Sequence, residues 1–296
     1  MNVLSLFDGI SCGQVALRRT GIEYSKYYAS EIDTRAIQVT QKHFPNTIQL
    51  GDIQSIIIPE NINLVMGGSP CQGFSNVGMR RGFDDPRSAL LYNFVDIVKS
   101  VKPKYFLLEN VSMKKEWLDI ITNLIGVEPI CINSSHFSAQ LRKRYYWTNI
   151  PQLPLPEPTT LVLQDIVESG IVDRDKSYCV DAHYSFGTTM KRHVKKTNHM
   201  RTLVFEPPTK DKSYTVYNKF VSIEEDDGSY NQYFINLPDG RYTTRKLTPV
   251  ECERLQTLPD NYTEGHPKTH RYKMLGNGWT VDVIAHILSG IHGDKE

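Results

Sequence analysis

The sequence predicts an α/β fold: a mostly parallel sheet covered by helices, with a small second domain. Three observations predict it. Through the first 150 residues, short apolar runs alternate with amphipathic stretches, the texture of strands and their covering helices. Glycines and acidic residues directly follow several of those runs, which is where open sheets bind ligands. Pro151, Pro154, Pro156 and Pro158 then fall within eight residues, a composition that continues neither a helix nor a central strand.

Val3 to Phe7 reads as the first strand, and Gly13 to Thr20 starts a helix. Tyr27 to Ile32 is a second strand with Glu31 at its end, and Ile48 to Leu50 a third, followed by Gly51-Asp52. Leu64 to Gly67 is a fourth strand that runs straight into Cys71. Tyr105 to Leu108 is a fifth, ending at Glu109-Asn110. Gln140 to Arg144 alternates as a strand with Gln140, Arg142 and Arg144 on one face. Residues 159–242 are polar and carry many Tyr and Thr, with a basic run followed by an acidic one. The α/β texture returns at Arg245. Pro249 to Leu258 is a helix with Thr248 as N-cap and Glu251 completing a capping box, and Thr280 to Ser289 is the last helix. The reading is a discontinuous larger domain, 1–152 and 243–296, and a smaller one over 153–242.

Composition narrows the function classes. The chain has 296 residues, 40% of them hydrophobic, which suffices for a sizeable core, and its net charge is +1. A nucleic-acid surface must therefore be a local patch. No apolar run reaches membrane-spanning length, and the start, Met1 to Leu6, lacks the basic lead of a signal peptide, so the expected location is the cytoplasm. Five cysteines without a CxxC pair argue for reduced thiols and against a disulfide framework or a zinc site.

Phe7-Asp8-Gly9-Ile10-Ser11-Cys12-Gly13 follows a strand and opens a helix, where glycine lets the backbone approach a ligand closely. Its spacing is not GxGxxG, which disfavours a nicotinamide cofactor. Glu31 stands where such folds hydrogen-bond a ribose, and Asp52 where an adenine amino group can be accepted. Each feature alone is also what a capping or solvated residue looks like; their order points to an adenosyl ligand across the strand ends. Gly67-Gly68-Ser69-Pro70-Cys71-Gln72 delivers a thiol at the carboxyl end of a buried strand. A lone cysteine is usually a packing residue, but this polar, glycine-flanked setting suits a nucleophile for an electron-poor ring carbon. Glu109, on the next strand, is placed for general acid work. Arg142 and Arg144 would orient Glu109, contact phosphate or favour a thiolate.

Taken together, the segments resemble a family. Phe7-Asp8-Gly9, Pro70-Cys71-Gln72, Glu109-Asn110-Val111, Gln140-x-Arg142-x-Arg144, the stretch from Arg245 to Gln256 and Gly276-Asn277-Gly278 occur in the order of the DNA cytosine-5 methyltransferases. The resemblance covers about residues 1–150 and 243–296. In shape the chain looks more like a bacterial or phage stand-alone enzyme, while the Phe-Asp-Gly-Ile opening and Trp279 resemble the vertebrate de novo enzymes. The resemblance implies the Rossmann-like fold of S-adenosylmethionine-dependent methyltransferases with a small target-recognition domain. It also implies S-adenosylmethionine as donor, S-adenosylhomocysteine as product, and no metal. By that resemblance Phe7 packs on the adenine, Glu31 binds the ribose and Asp52 with Ile53 holds the adenine. Asp8, Gly9, Ile32, Pro70 and Leu91 line the same cleft, and Asn277 and Trp279 close it around the methionine end. Ser11-Cys12-Gly13 stands where many relatives are richer in glycine.

The implied reaction is covalent, with the cytosine flipped out of the duplex, Cys71 attacking C6, Glu109 at N3, and Arg142 stabilising the base and Glu109. Residues from Gly73 to about Asp84 read as a loop closing over DNA, with Arg80 and Arg81 as contacts and Gln72 and Ser75 filling the vacated place of the base. Lys191, Arg192, Lys195, Lys196 and Arg201 form an acid-free patch suited to phosphates, unless it is simply a solvated face. The partner is double-stranded DNA with a target of roughly two to six base pairs. The enzyme is expected to act as a monomer, alongside a cognate restriction endonuclease it need not touch, and away from membranes. Two alternatives are a tRNA cytosine-5 methyltransferase on the same scaffold and a silent DNA-binding relative.

Overall fold

The computed structural model describes residues 1–70, 89–185, 201–206, 220–223 and 240–292. The chain divides into two compact units. The first is Met1–Asn133, Lys143–Pro156 and Asn277–Glu296; the second is Ser134–Arg142 and Glu157–Gly276.

The first unit holds a seven-stranded sheet: β1 (Asn2–Leu6), β2 (Lys26–Ser30), β3 (Ile48–Gln49), β4 (Leu64–Gly68), β5 (Tyr105–Val111), β6 (Ile130–Asn133) and β7 (Lys143–Thr148). Its order is β3-β2-β1-β4-β5-β7-β6. The first five strands in that order run parallel, and β7 runs antiparallel to both β5 and β6. Central strands of a parallel sheet are covered on both faces, so β1 and β4 read as continuous apolar runs and are buried almost throughout. Helix α1 (Cys12–Thr20) ends at Gly21, whose left-handed backbone donates to the Arg18 carbonyl. It packs against the C-terminal helix Val281–Ser289. Helices α3 (Ala89–Val101) and α4 (Lys115–Ile125), which follow α2 (Thr34–His43), send Leu91, Phe94, Ile97 and Ile121 onto Leu4, Leu6, Val65, Leu108 and Trp147. This core holds the strand ends in place.

The second unit has a four-stranded antiparallel sheet. Its order is β10 (Phe220–Ile223), β11 (Gly240–Lys246), β9 (Leu203–Glu206), β8 (Ile171–Val172). Helix α5 (Pro249–Leu255) carries the capping box: Thr248 Oγ1 accepts the Glu251 N–H at 3.1 Å, and Glu251 accepts the Thr248 N–H at 2.7 Å. It stops three residues short of the expected Leu258, and α6 (Lys268–Asn277) follows.

The units divide the chain differently from the expected 1–152 plus 243–296 against 153–242. Residues 134–142 and 243–276 belong with the second unit. Side chains rather than hydrophobic periodicity account for this. Ser138 Oγ donates to the Leu255 carbonyl at 2.6 Å, Arg254 to the Ile166 carbonyl at 2.9 Å, and Glu251 accepts the Glu168 N–H at 2.8 Å. Fully buried Glu253 accepts from the backbone of Asn261 and Thr263 and from Arg271, which ties α5 to α6.

Candidate active site

Parallel strands β1, β2, β4 and β5 present their carboxyl ends on one rim of the sheet, and chemistry-bearing residues cluster there. After β1 the chain turns through three left-handed residues, Phe7 (φ 58°), Gly9 (φ 59°) and Ser11 (φ 59°). Such backbone costs a non-glycine residue energy and persists only where neighbours enforce it. Glu31, just past β2, is one enforcer. Its Oε2 accepts the Gly9 N–H at 2.8 Å, while Oε1 accepts the N–H groups of Ile32 and Asp33 at 2.7 and 2.8 Å.

Asp8 is the other enforcer. Its carboxylate turns inward and accepts from the Tyr27 hydroxyl at 2.7 Å, and Oδ2 is buried with no aligned donor among the described residues. Burial pushes the Asp8 carboxyl up from its ordinary 3.8 to about 6, against the Ser5, Tyr27 and Ser11 hydroxyls, which favour the anion. The inward turn leaves the loop backbone, not the Asp8 carboxylate, to meet a ligand. Tyr27 escaped the sequence reading because a tyrosine on a buried strand reads as core.

The surroundings fit an adenosyl group. A carboxylate has about four acceptor positions, so Glu31 keeps one for a hydroxyl after its three backbone bonds. Ile32 beside it is 71% exposed, an apolar side chain at the rim for a flat base to cover. Asp52 is exposed and its Oδ1 caps the Gln54 N–H at 3.0 Å, while Ile53 is buried beneath. Asn277 is exposed. Leu91 is wholly buried in the core.

The second cluster lies on β4 and β5. Glu109 lies within β5, because pairing with antiparallel β7 carries that strand on to Val111, past the expected end at Leu108. Gly68 on β4 is its register partner. Arg144 Nε lies 3.0 Å from Glu109 Oε1. The contact is an ion pair rather than an aligned hydrogen bond, since the Nε–H is not directed at an acceptor. Trp279 Nε1 donates to Glu109 Oε2 at 3.3 Å. Asn110 Nδ2 donates to Ser69 Oγ at 3.0 Å and its Oδ1 accepts the Val111 N–H, which pins the chain two residues before Cys71.

Arg142 does not share this setting. The expected strand from Gln140 begins only at Lys143, and Gln140 and Arg142 lie in the second unit. Arg142 is 3% exposed; its guanidinium donates to the carbonyls of Val180 (2.8 Å) and Gly276 (3.2 Å). Gln140 bridges the Leu255 carbonyl and the Val180 N–H. The arginine at Glu109 is thus Arg144, a correction to the role given Arg142.

Arg201 is also corrected. It is 7% exposed, pairs with Asp181 at 2.8 Å and lies over the Tyr184 ring, so its charge faces inward. Cys71, Gln72, Ser75, Arg80, Arg81, Lys191, Arg192, Lys195 and Lys196 lie outside the described residues, as does the expected loop from Gly73 to Asp84.

The profile of the C-5 cytosine-specific DNA methylases matches residues 1–293. The chain belongs to this family. As a C-5 cytosine-specific DNA methylase it is a DNA cytosine-5 methyltransferase, and the match favours DNA over tRNA as substrate. Among relatives, the type II methyltransferase M.Bsp6I of Bacillus sp. (strain RFL6) is 25% identical over 317 residues, covering 99% of this chain and 98% of that protein. The type II methyltransferase M1.ScrFI of Lactococcus lactis subsp. cremoris is 29% identical over 310 residues, covering 95% of this chain and 75% of that protein. The solved structure of the Entamoeba histolytica methyltransferase EhMeth superposes with a TM-score of 0.70 at 18% identity, covering 100% of this chain and 99% of that one, and shares the fold. No helix among the described residues is long and apolar enough to cross a membrane.

Proposed function

We propose that this methylase modifies a cytosine flipped from a short duplex target, with Cys71 as nucleophile and Glu109 as the acid. The observation that carries the reading is Glu109 held between Arg144 and Trp279, in register with Gly68, three residues before Cys71. A cytosine inside a stacked duplex hides C5 and C6, so the base must leave the stack. The Cys71 thiolate bonds to C6 and breaks the C5–C6 double bond, while Glu109 donates its proton to N3. The electron pair released at C5 then takes the methyl group, whose bond to the donor's sulfonium sulfur breaks so that a neutral thioether leaves. A solvent base takes the C5 proton, β-elimination restores the double bond and frees the Cys71 thiolate, and N3 returns its proton to Glu109.

S-adenosylmethionine, when bound, supplies the methyl group. Phe7, Gly9, Glu31, Ile32 and Asp52 would hold its adenosyl part, with Asp8, Ile53, Pro70 and Leu91 supporting the cleft and Asn277 and Trp279 at its other end. Arg144 would keep the Glu109 carboxyl turned to the base. Gln72, Ser75, Arg80, Arg81, Lys191, Arg192, Lys195 and Lys196 would contact DNA, mainly through phosphates. The enzyme would work as a monomer, in the cytoplasm.

DNA containing 5-fluorocytosine tests the mechanism. Fluorine at C5 cannot leave as a proton, so an adduct that survives denaturation is expected with the unaltered chain and none with Cys71→Ser. Full methylation by Cys71→Ser would refute the covalent route. Bisulfite sequencing of DNA from expressing cells reads the target.

A further inference from the structure

Resting on the reading of Glu109 as the acid, we propose that Trp279 is the positioning residue for its carboxyl group, in addition to any part it takes in closing the cofactor cleft. Three observations converge on it. Among the described residues, the aligned hydrogen bond to the Glu109 carboxylate comes from Trp279 Nε1, at 3.3 Å to Oε2. The Arg144 ion pair reaches the other oxygen, Oε1, so alone it leaves the plane of the carboxylate unset.

The third observation is Gly68. A Cβ there would lie 2.8 Å from Glu109 Oε2 and 2.9 Å from Trp279 Nε1, closer than real side chains come. Glycine on β4 is what allows the indole and the carboxyl group to meet at that point. Pinned at both oxygens, the carboxyl group has few rotations open to it, and its remaining acceptor positions keep a fixed direction. Trp279 follows Asn277 and Gly278 just after α6, so the segment proposed to close the cofactor cleft also reaches the acid.

Trp279→Phe keeps an aromatic ring but removes the Nε1 donor together with the pyrrole half of the indole. A hydrogen bond to a charged group supports an expected fall in kcat of about ten- to a hundredfold. S-adenosylhomocysteine binding, measured by calorimetry, should weaken by much less than kcat falls, since an aromatic ring remains at that position. Gly68→Ala should reproduce the kcat loss by forcing the pair apart, and serves if the first variant folds poorly.

The deciding measurement is a cycle with Glu109→Gln. In that background Trp279→Phe should change kcat little, because the group it positions is gone. Equal kcat losses with and without Glu109, or a loss matched by weaker S-adenosylhomocysteine binding, would overturn the proposal. Absence of a 5-fluorocytosine adduct with the unaltered chain would instead overturn the reading on which it rests.

Discussion

Arg142 and Arg144 stand two residues apart in one motif, and the fold gives them opposite tasks. Arg142 belongs to the second unit, where its guanidinium satisfies the Val180 and Gly276 carbonyls. Arg144 belongs to the first, where it faces Glu109 at the rim of the sheet. The difference lies in the acceptor. A buried arginine donating to backbone carbonyls holds a chain path together, and removing it orphans groups that cannot move away. An arginine paired with a carboxylate on a ligand-binding rim sets where a reactive group points.

The largest expected effect separates the two tasks most sharply. Arg144→Met leaves the Glu109 carboxyl without the cation that orients it at the rim of the sheet; the expected fall in kcat is roughly a hundred- to a thousandfold, about 3–4 kcal/mol at the barrier. Steady-state kinetics should show that fall with little change in melting temperature, and Arg144→Lys should recover part of it. Melting temperature falling while kcat held would place Arg144 with Arg142 instead.

A smaller effect concerns Asp8, whose carboxyl turns inward to the Tyr27 hydroxyl. Its pKa in the fold, about 6, exceeds its ordinary 3.8, so the folded state binds the proton more tightly than the unfolded chain does. Its contribution to stability is therefore fully present below about pH 4 and lost as pH rises through 6. Relative to Asp8→Asn, the unaltered chain should lose on the order of 3 kcal/mol across that window and level off above it. Denaturant melts at several pH values would show it, and a difference independent of pH would refute it.

The smallest is Arg142→Met. Orphaning two buried carbonyls should cost about 2 kcal/mol of stability. That should lower the melting temperature clearly while reducing kcat of the folded enzyme far less than Arg144→Met does. A collapse of kcat with unchanged melting would erase the distinction between the two arginines.

Much of the candidate site was legible as positions, because parallel strands are buried on both faces and announce themselves as apolar runs, with Glu31, Asp52 and Glu109 standing where the runs stop. The motif order supplied the rest of the family reading. What stayed hidden depended on partners distant in the chain. Alternation from Gln140 to Arg144 looks like one strand, yet the side-chain bonds of Gln140 and Arg142 hold that part in the second unit. Arg201 lies in an acid-free run, and only folding brings Asp181 to it. The Trp279 indole meets Glu109 across 170 positions of sequence, and Gly68 looks like loop glycine until that meeting is seen.

The reversed direction of β7 has a consequence for reach. In register with β5, Val111 faces Arg144 and Leu107 faces Thr148, so the start of β7 lies where β5 finishes. Had β7 entered parallel like its neighbours, its first residues would sit at the opposite edge, about 20 Å away for a six-residue strand. Turning a single strand end for end therefore sets its second residue, Arg144, beside the finishing end of β5, within reach of the Glu109 carboxylate.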